Sequence, residues 1–194
     1  GIYGQNGSGK TAIVDALYFL QKVMIGGDLD QSLEDYMDMD SDTAEIFADF
    51  NIFMDDIVFE IGYRLSLSRE EKEVVISRET LSAAKNENGI RTNKTVFMDY
   101  QRGQTNTIFK PQKRLDEILE ENKDIKTDLI VARKMAEKSN CSYIFGESSR
   151  EIFCREYKNG FQQFSVIISS LFEFALKDLF VIRNTHSGVI SGNF

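Results

Sequence analysis

Eight residues near the amino terminus have the types and spacing of a phosphate-binding loop. They read G-x-x-x-x-G-K-T and are Gly4, Gln5, Asn6, Gly7, Ser8, Gly9, Lys10 and Thr11. Glycine lacks a Cβ atom, so the backbone can adopt positive φ and turn its N–H groups towards an anion. Lys10 would reach the β- and γ-phosphates, and the Thr11 hydroxyl is a ligand for Mg²⁺. The pattern predicts a nucleotide site, and we favour it over a glycine-rich turn with a chance lysine.

A helix must follow such a loop, and the sequence predicts one over residues 11–25. Its apolar side chains recur at intervals of three and four: Ile13, Ala16, Leu17, Leu20 and Met24. Gly26 and Gly27 should end it. Before the loop stand only Gly1, Ile2 and Tyr3, too few for the buried strand expected there, and the sequence does not start with methionine. We therefore expect a piece of a longer protein, cut within its first strand.

Composition limits the class of protein. The chain has 194 residues, 42 % of them apolar, enough for a sizeable core. Its net charge of −8 argues against a general nucleic-acid or membrane-surface binder, although a local basic patch stays open. Two cysteines, Cys141 and Cys154, are too few for a disulfide framework, and we expect both in the core of a cytoplasmic protein. The single histidine, His186, reads as an exposed or capping residue rather than a catalytic base.

Residues 28–42 form an acidic connection. Asp38, Asp40 and Asp42 have the spacing of the first three ligands of a calcium loop. Thr43 stands where that loop needs glycine, and Glu45 where it needs an apolar residue. A solvated loop is the better interpretation.

From Glu45 onwards the periodicity is that of strands. Residues 57–67 alternate between apolar and other side chains, which predicts a strand with one buried face, paired with residues 45–53 through a turn at 54–56. Further strands are expected at 73–77, 94–100 and 107–109, separated by turns at 68–72 and 86–93. The result is an antiparallel meander, unlike the alternating strand and helix order of Rossmann-like kinases and small GTPases.

The carboxyl-terminal part reads as mainly helical. Residues 112–139 have an apolar stripe that slips near 121–123, so two helices are an alternative to one. Residues 141–157 suggest a short strand or an irregular segment. Residues 161–183 are the most apolar stretch, but Glu173, Lys177 and Asp178 interrupt it, which favours a buried core helix over a membrane span.

Two elements needed for fast hydrolysis are not recognised. One is an acidic residue at the end of a second buried strand; Asp55 and Asp56 are the only superficial candidates, and we interpret them as a hairpin turn. The other is a serine-glycine-glycine signature loop. By itself the chain should bind nucleotide without turning it over quickly.

The loop and the helix after it resemble the start of ABC-class ATPases of the SMC, RecF and OLD type, and more narrowly the bacterial AAA family ATP-binding proteins associated with anti-phage defence. The resemblance covers about residues 1–110. It rests on Ile2-Tyr3-Gly4-Gln5-Asn6-Gly7-Ser8-Gly9-Lys10-Thr11, on Ile13-Val14-Asp15-Ala16-Leu17, on the meander at Phe59 to Leu67, and on Val75-Ile76-Ser77-Arg78-Glu79-Thr80-Leu81.

This resemblance implies an α/β fold of mixed α+β type, namely a P-loop NTPase lobe with an antiparallel β-meander subdomain followed by helices. Residues 1–110 would form the P-loop and β subdomain, and residues 111–194 a mainly helical segment of the same head. The implied ligand is ATP with Mg²⁺, sandwiched between two heads of a homodimer, and DNA or a nuclease would be a further partner. The family also places a glutamine that senses Mg²⁺ and the γ-phosphate at the end of a strand after the meander; Gln101 is the candidate here, with a solvent-facing turn residue as the alternative.

Two other functions stay open. A P-loop kinase or GTPase with an inserted β subdomain would need an arginine-rich lid or an N-K-x-D element, and the stretch from Asn93 to Val96 lacks the aspartate. The chain could also be a folded interaction module whose nucleotide site is idle. If the apolar helix at 161–183 packs on a further part of the protein, the isolated chain should self-associate through it.

Overall fold

The computed structural model describes residues 10–29, 41–71, 73–104, 116, 120, 123–154 and 162–179. For positions 10, 11, 123, 162 and 163 it describes the backbone only. The glycine-rich residues 4–9, the acids Asp38 and Asp40, the predicted strand at 107–109 and His186 therefore lie outside the described residues.

The first helix confirms the prediction made from its apolar spacing. Helix α1 spans Lys10–Met24. Its buried side chains are Phe19, Leu20, Val23 and Met24. Ile13, which we placed in the apolar stripe, is 51 % exposed, so only the carboxyl-terminal half of α1 enters the core. Gly26 ends the helix with φ +73°, and its N–H donates to the carbonyl of Val23 at 3.0 Å.

Five antiparallel strands form one sheet. They are β1 (Thr43–Met54), β2 (Ile57–Glu70), β3 (Glu73–Glu87), β4 (Ile90–Arg91) and β5 (Thr95–Gln101). Strands β1, β2 and β3 lie side by side in chain order, and both β4 and β5 pair with the far side of β3. The predicted meander is confirmed, as is the hairpin between β1 and β2, whose turn is at Asp55 and Asp56. Asp55 has φ 49°, a conformation that aspartate tolerates in turns.

The strand bounds after β2 were predicted incorrectly. Strand β2 continues to Glu70, and β3 continues to Glu87 instead of ending at Ser77. The predicted turn at 86–93 contains the short strand β4. Two features interrupt the alternation of apolar and polar side chains by which β3 could have been recognised in the sequence. The register between β2 and β3 shifts at Ser66 and Leu67, and a buried glutamate, Glu79, takes an inward position.

Three further helices cover one face of the sheet in the described part of the chain. They are α2 (Lys123–Ser139), α3 (Glu147–Phe153) and α4 (Gln162–Glu173), which continues as a π-helical turn over Phe174–Asp178. Helix α2 agrees with the predicted helical stretch, and α4 with the predicted core helix. Helix α3 corrects our expectation of a strand or irregular segment at 141–157. It has only seven residues, about two turns, which is too few for an apolar repeat to stand out, and it has no side-chain cap that would mark its start.

The core lies between the inner face of the sheet and these helices. Helix α4 and its π-helical turn cross the sheet from β5 to β1. Near one end the Phe164 ring stacks on that of Phe97 of β5, with ring centres 5.1 Å apart, and near the other the Phe174 ring meets that of Phe50 of β1 edge-on, at 5.9 Å. Fully buried inner residues of β2 are Ile61, Tyr63 and Leu65. Each such side chain contributes about 1.5–3 kcal/mol by leaving water. No helix in the described residues has both the length and the apolar content needed to cross a bilayer.

Candidate nucleotide site

The last two of the residues predicted to bind phosphate and Mg²⁺, Lys10 and Thr11, lie in α1. Lys10 is the first helical residue and Thr11 the second. The first turn of a helix has free backbone N–H groups and the positive end of the helix dipole, which together favour an anion. Binding of phosphate by Lys10 and of Mg²⁺ by Thr11 stays a prediction.

The other end of α1 is fixed to the body of the domain. The side-chain amide of Gln21 donates to the carbonyls of Ala175, at 3.0 Å, and Leu179. Beyond the helix, the Leu29 N–H donates to the carbonyl of Asn140 at 3.2 Å. Gln21 and Leu29 therefore connect α1 and the residues after it to the π-helical turn and to the segment after α2.

That segment, residues 140–146, is attached to β3 by the side chain of Asn140. Its amide Nδ2 donates to the Val74 carbonyl at 2.7 Å, and its Oδ1 accepts from the Ile76 N–H at 3.3 Å. One asparagine thus satisfies the backbone of β3 in the way a neighbouring strand would. We call residues 140–146 the clamp segment.

A buried carboxylate joins the clamp segment to the sheet. Glu79 of β3 is fully buried and accepts hydrogen bonds from the Tyr63 hydroxyl (2.7 Å), the Ser142 hydroxyl (2.6 Å) and the Tyr143 N–H (2.7 Å). The Ser142 oxygen in turn accepts from the Phe145 N–H at 2.8 Å. Burial raises the pKa of Glu79, although these donors favour its charged form and work in the opposite direction. Burial and the nearby Glu79 raise the pKa of Tyr63 well above its ordinary range.

Gln101 is the last residue of β5, which confirms that it ends a strand. It is exposed, and its carbonyl accepts from the Arg133 guanidinium of α2. Glu137, one turn further along α2, accepts from Arg133 Nε at 3.2 Å and from the Gly103 N–H at 3.2 Å. The end of β5 is therefore bound to α2. A role for Gln101 towards Mg²⁺ or phosphate stays a prediction.

The sequence matches one known protein family over most of its length. Residues 1–124, nearly two thirds of the sequence, match the model of a family described as "AAA domain, putative AbiEii toxin, Type IV TA system". The chain belongs to this AAA family. AAA domains in general bind nucleotide and have ATPase activity, and they take ATP with Mg²⁺. Neither a comparison with curated proteins nor one with solved structures gave a match.

The part of the chain that matches the AAA family contains α1 and the entire sheet. Helices α2 to α4 and the clamp segment follow it, apart from the first two residues of α2. These later residues supply the hydrogen-bond donors to Glu79 other than Tyr63. The sequence contained no signal for this cluster, because an isolated glutamate in a strand cannot be told from a surface residue without its partners.

Among the described residues, the other acidic and cysteine residues considered from the sequence do not come together in one site. Asp55 and Asp56 form the hairpin turn, as predicted. Within the described residues, no group of three or more histidine, cysteine or acidic side chains could hold a metal ion. Cys141 is half-buried, and burial raises the pKa of its thiol to about 11. Cys154 is exposed, which corrects our expectation that both cysteines lie in the core.

Replacing Glu137 by alanine should loosen the end of β5 from α2. The variant loses the acceptor for Arg133 and for the Gly103 N–H, so we expect a destabilisation of about 1–2 kcal/mol in urea unfolding. Glu151→Ala, at an exposed position of α3, is the control and should be close to neutral. Equal losses in the two variants would contradict the attachment.

Proposed function

We propose that the chain binds ATP with Mg²⁺ at the Walker A loop of Gly4 to Thr11. The observation that carries this proposal is the complete eight-residue pattern entering a helix that begins at its lysine. Membership of the AAA family supports it. ATP with Mg²⁺ would supply the phosphates for the loop, and the chain would supply backbone N–H groups, the Lys10 charge and the Thr11 hydroxyl.

We propose further that the chain is part of an ABC-class head of the SMC, RecF and OLD type. The residues Asn6-Gly7-Ser8 of the loop support this subclass, as does an antiparallel meander directly after the P-loop helix. On this proposal residues 1–110 form a P-loop lobe with its β subdomain, and residues 111–194 complete the same head. On this proposal hydrolysis would await a second lobe that brings the signature loop and the acidic strand end.

The proposed setting is a cytoplasmic ATP-driven switch in DNA maintenance or anti-phage defence. The family description names a toxin of a type IV toxin–antitoxin system, which agrees with a defence role. The proposed partners are a second ATPase head, DNA and a nuclease. Gln101, at the end of β5, is the proposed sensor of Mg²⁺ and γ-phosphate.

Calorimetric titration with Mg²⁺-ATP and Mg²⁺-GTP tests the proposal. We expect ATP to bind in preference to GTP. Lys10→Ala should weaken binding by on the order of 10- to 100-fold, because it removes a charged donor to phosphate worth about 1.5–3 kcal/mol. Phosphate release over hours should be negligible.

Lys126→Ala is the matched control, since Lys126 is an exposed lysine on α2. It should leave affinity unchanged. A preference for GTP, or rapid phosphate release, would favour the kinase or GTPase alternative. If neither nucleotide bound a folded chain, the interaction module with an idle site would be the better description.

A further inference from the structure

The two edges of the sheet differ in the part of the chain that the structure describes. On one side β3 is followed by two short strands, β4 with two residues and β5 with seven, and the carbonyl at the end of β5 is taken by Arg133. On the other side lies β1, with twelve residues that pair with β2 in unbroken register. No described strand pairs with the outer side of β1.

Apart from the acidic side chains of Glu45 and Asp49, strand β1 lacks the usual features that protect an edge. It contains no proline, lysine or arginine, and its pairing with β2 has no bulge. A long, regular edge of this kind presents a row of backbone N–H and C=O groups that can receive another strand.

The apolar layer also continues as far as this edge. The inward side chains of β2 opposite it are fully buried, whereas those of β1 are only half-buried: Ala44, Ile46, Ala48, Phe50 and Ile52. Next to them Phe174 contacts Phe50 and is 37 % exposed, and Leu176 is 52 % exposed. An added strand would cover this apolar rim.

The charged residues of β1 are Glu45 and Asp49, and they limit the register in which a second copy could pair with this edge. We propose that β1 pairs antiparallel with β1 of a second copy of this chain, about a two-fold axis at Ala48. In this register Phe47 faces Asp49 of the second copy, Glu45 faces Asn51, and the inward residues Ile46 and Phe50 face each other. A two-fold axis at Asp49 would oppose two aspartates, and one at Phe47 would oppose Glu45 and Asp49, so both are disfavoured.

The outer face adds charge complementarity to this register. The Arg64 guanidinium lies 4.4 Å from the centre of the Phe47 ring, and its ion pair with Glu45 is long, at 3.8 Å. Asp49 of the second copy would arrive directly beside that ring. The Asp49 side chain is 81 % exposed, so its carboxylate can accept a hydrogen bond from Arg64 of the other copy. It can do so while keeping its ion pair with Lys94, whose Nζ lies 2.6 Å from Asp49 Oδ1. This row repeats on both sides of the axis, as an isologous interface requires.

This contact uses neither α1 nor the proposed nucleotide loop. It is distinct from the ATP-sandwiched pair of heads and should form without nucleotide. It would also be unaffected by Lys10→Ala, so failure of the nucleotide proposal and failure of this one are distinguishable.

Sedimentation velocity of the full chain without nucleotide is the first test. We expect a concentration-dependent dimer. Phe47→Asp should weaken it by roughly tenfold or more, because it opposes two like charges on each side of the axis. Phe47 is 60 % exposed, so this variant should fold. Ile90→Asp makes the same change in charge at a residue that is 76 % exposed on the opposite edge, and it should keep the dimer.

Cysteine cross-linking tests the register in a Cys154→Ser background, which removes the exposed native thiol. Ala48→Cys should form a disulfide-linked dimer on mild oxidation, since directly opposed Cβ atoms are about 4.5–5.5 Å apart. Asn51→Cys should not, because its two copies would be six residues apart along the strands, roughly 20 Å. A monomer up to about 1 mM, a dimer that needs nucleotide, or equal cross-linking at positions 48 and 51 would each overturn the proposal.

Discussion

Replacing Glu79 by alanine is expected to lower the free energy of unfolding by about 3–5 kcal/mol. The change leaves the Tyr63 hydroxyl, the Ser142 hydroxyl and the Tyr143 N–H buried without their acceptor. Each unsatisfied buried donor costs about 1–3 kcal/mol, and relief of the buried carboxylate offsets part of the total. Thermal unfolding should show a midpoint lower by roughly 10 °C.

Glu60→Ala is the control for this prediction. Glu60 also lies in the sheet and also accepts hydrogen bonds, in this case from the Arg91 guanidinium, but on the solvent-facing side. Its loss should have a much smaller effect because water replaces the partner. If the two alanine variants unfolded at similar temperatures, the Glu79 cluster would not be the principal tie between sheet and helices.

The pH dependence of stability should report the same group. Burial raises the pKa of Glu79 above its ordinary value of 4.5, so the folded state holds its proton more tightly than the unfolded state. The unfolding free energy should therefore fall as the pH rises from about 4.5 through the raised pKa. Glu79→Gln cannot ionise, and the difference between the wild-type and Glu79→Gln curves should show this fall. An identical pH dependence in both would contradict the assignment.

Gly26→Ala is the second substitution with a large expected effect. A Cβ at this position would lie 2.6 Å from the Phe145 carbonyl oxygen and 3.2 Å from Gly146 Cα, both backbone atoms that cannot turn aside. The left-handed φ of +73° adds about 1–2 kcal/mol of strain. We expect a total loss of about 2–4 kcal/mol in urea unfolding.

Gly89 offers a matched control, since it has a similar φ of +79° and open space where a Cβ would stand. Gly89→Ala should show the conformational strain alone, about 1–2 kcal/mol. The difference between the two variants measures the contact between the end of α1 and the clamp segment. No difference would mean that this contact is not rigid.

The sequence was most informative where neighbouring residues decide the structure. The alternation at 57–67 correctly identified β2 and its buried face, and the glycines after Met24 correctly ended α1. These signals are local, because a strand or helix shows its buried side through its own period. Gln101 was likewise placed correctly at the end of a strand.

What sequence reasoning missed depends on residues far apart in the chain. The continuation of β3 past Ser77 is stabilised by β2 and by the clamp segment, and its inward glutamate is explained only by donors 16 and 63 residues away. Helix α3 is too short to show a period. The phosphate-binding role of Gly4 to Thr11 and the role of Gln101 remain predictions that rest on the pattern and on the AAA family.

The long separation between Glu79 and its donors in the clamp segment also has a kinetic consequence. The hairpins of the meander are local contacts and can form early, whereas the Tyr143 N–H must close a loop of 64 residues to reach this carboxylate. We expect the glutamate to stay hydrated in the folding transition state and to lose its water late. Glu79→Ala would then act chiefly by speeding unfolding and would change the folding rate little. The lifetime of the folded chain would therefore depend strongly on the removal of water from this one carboxylate.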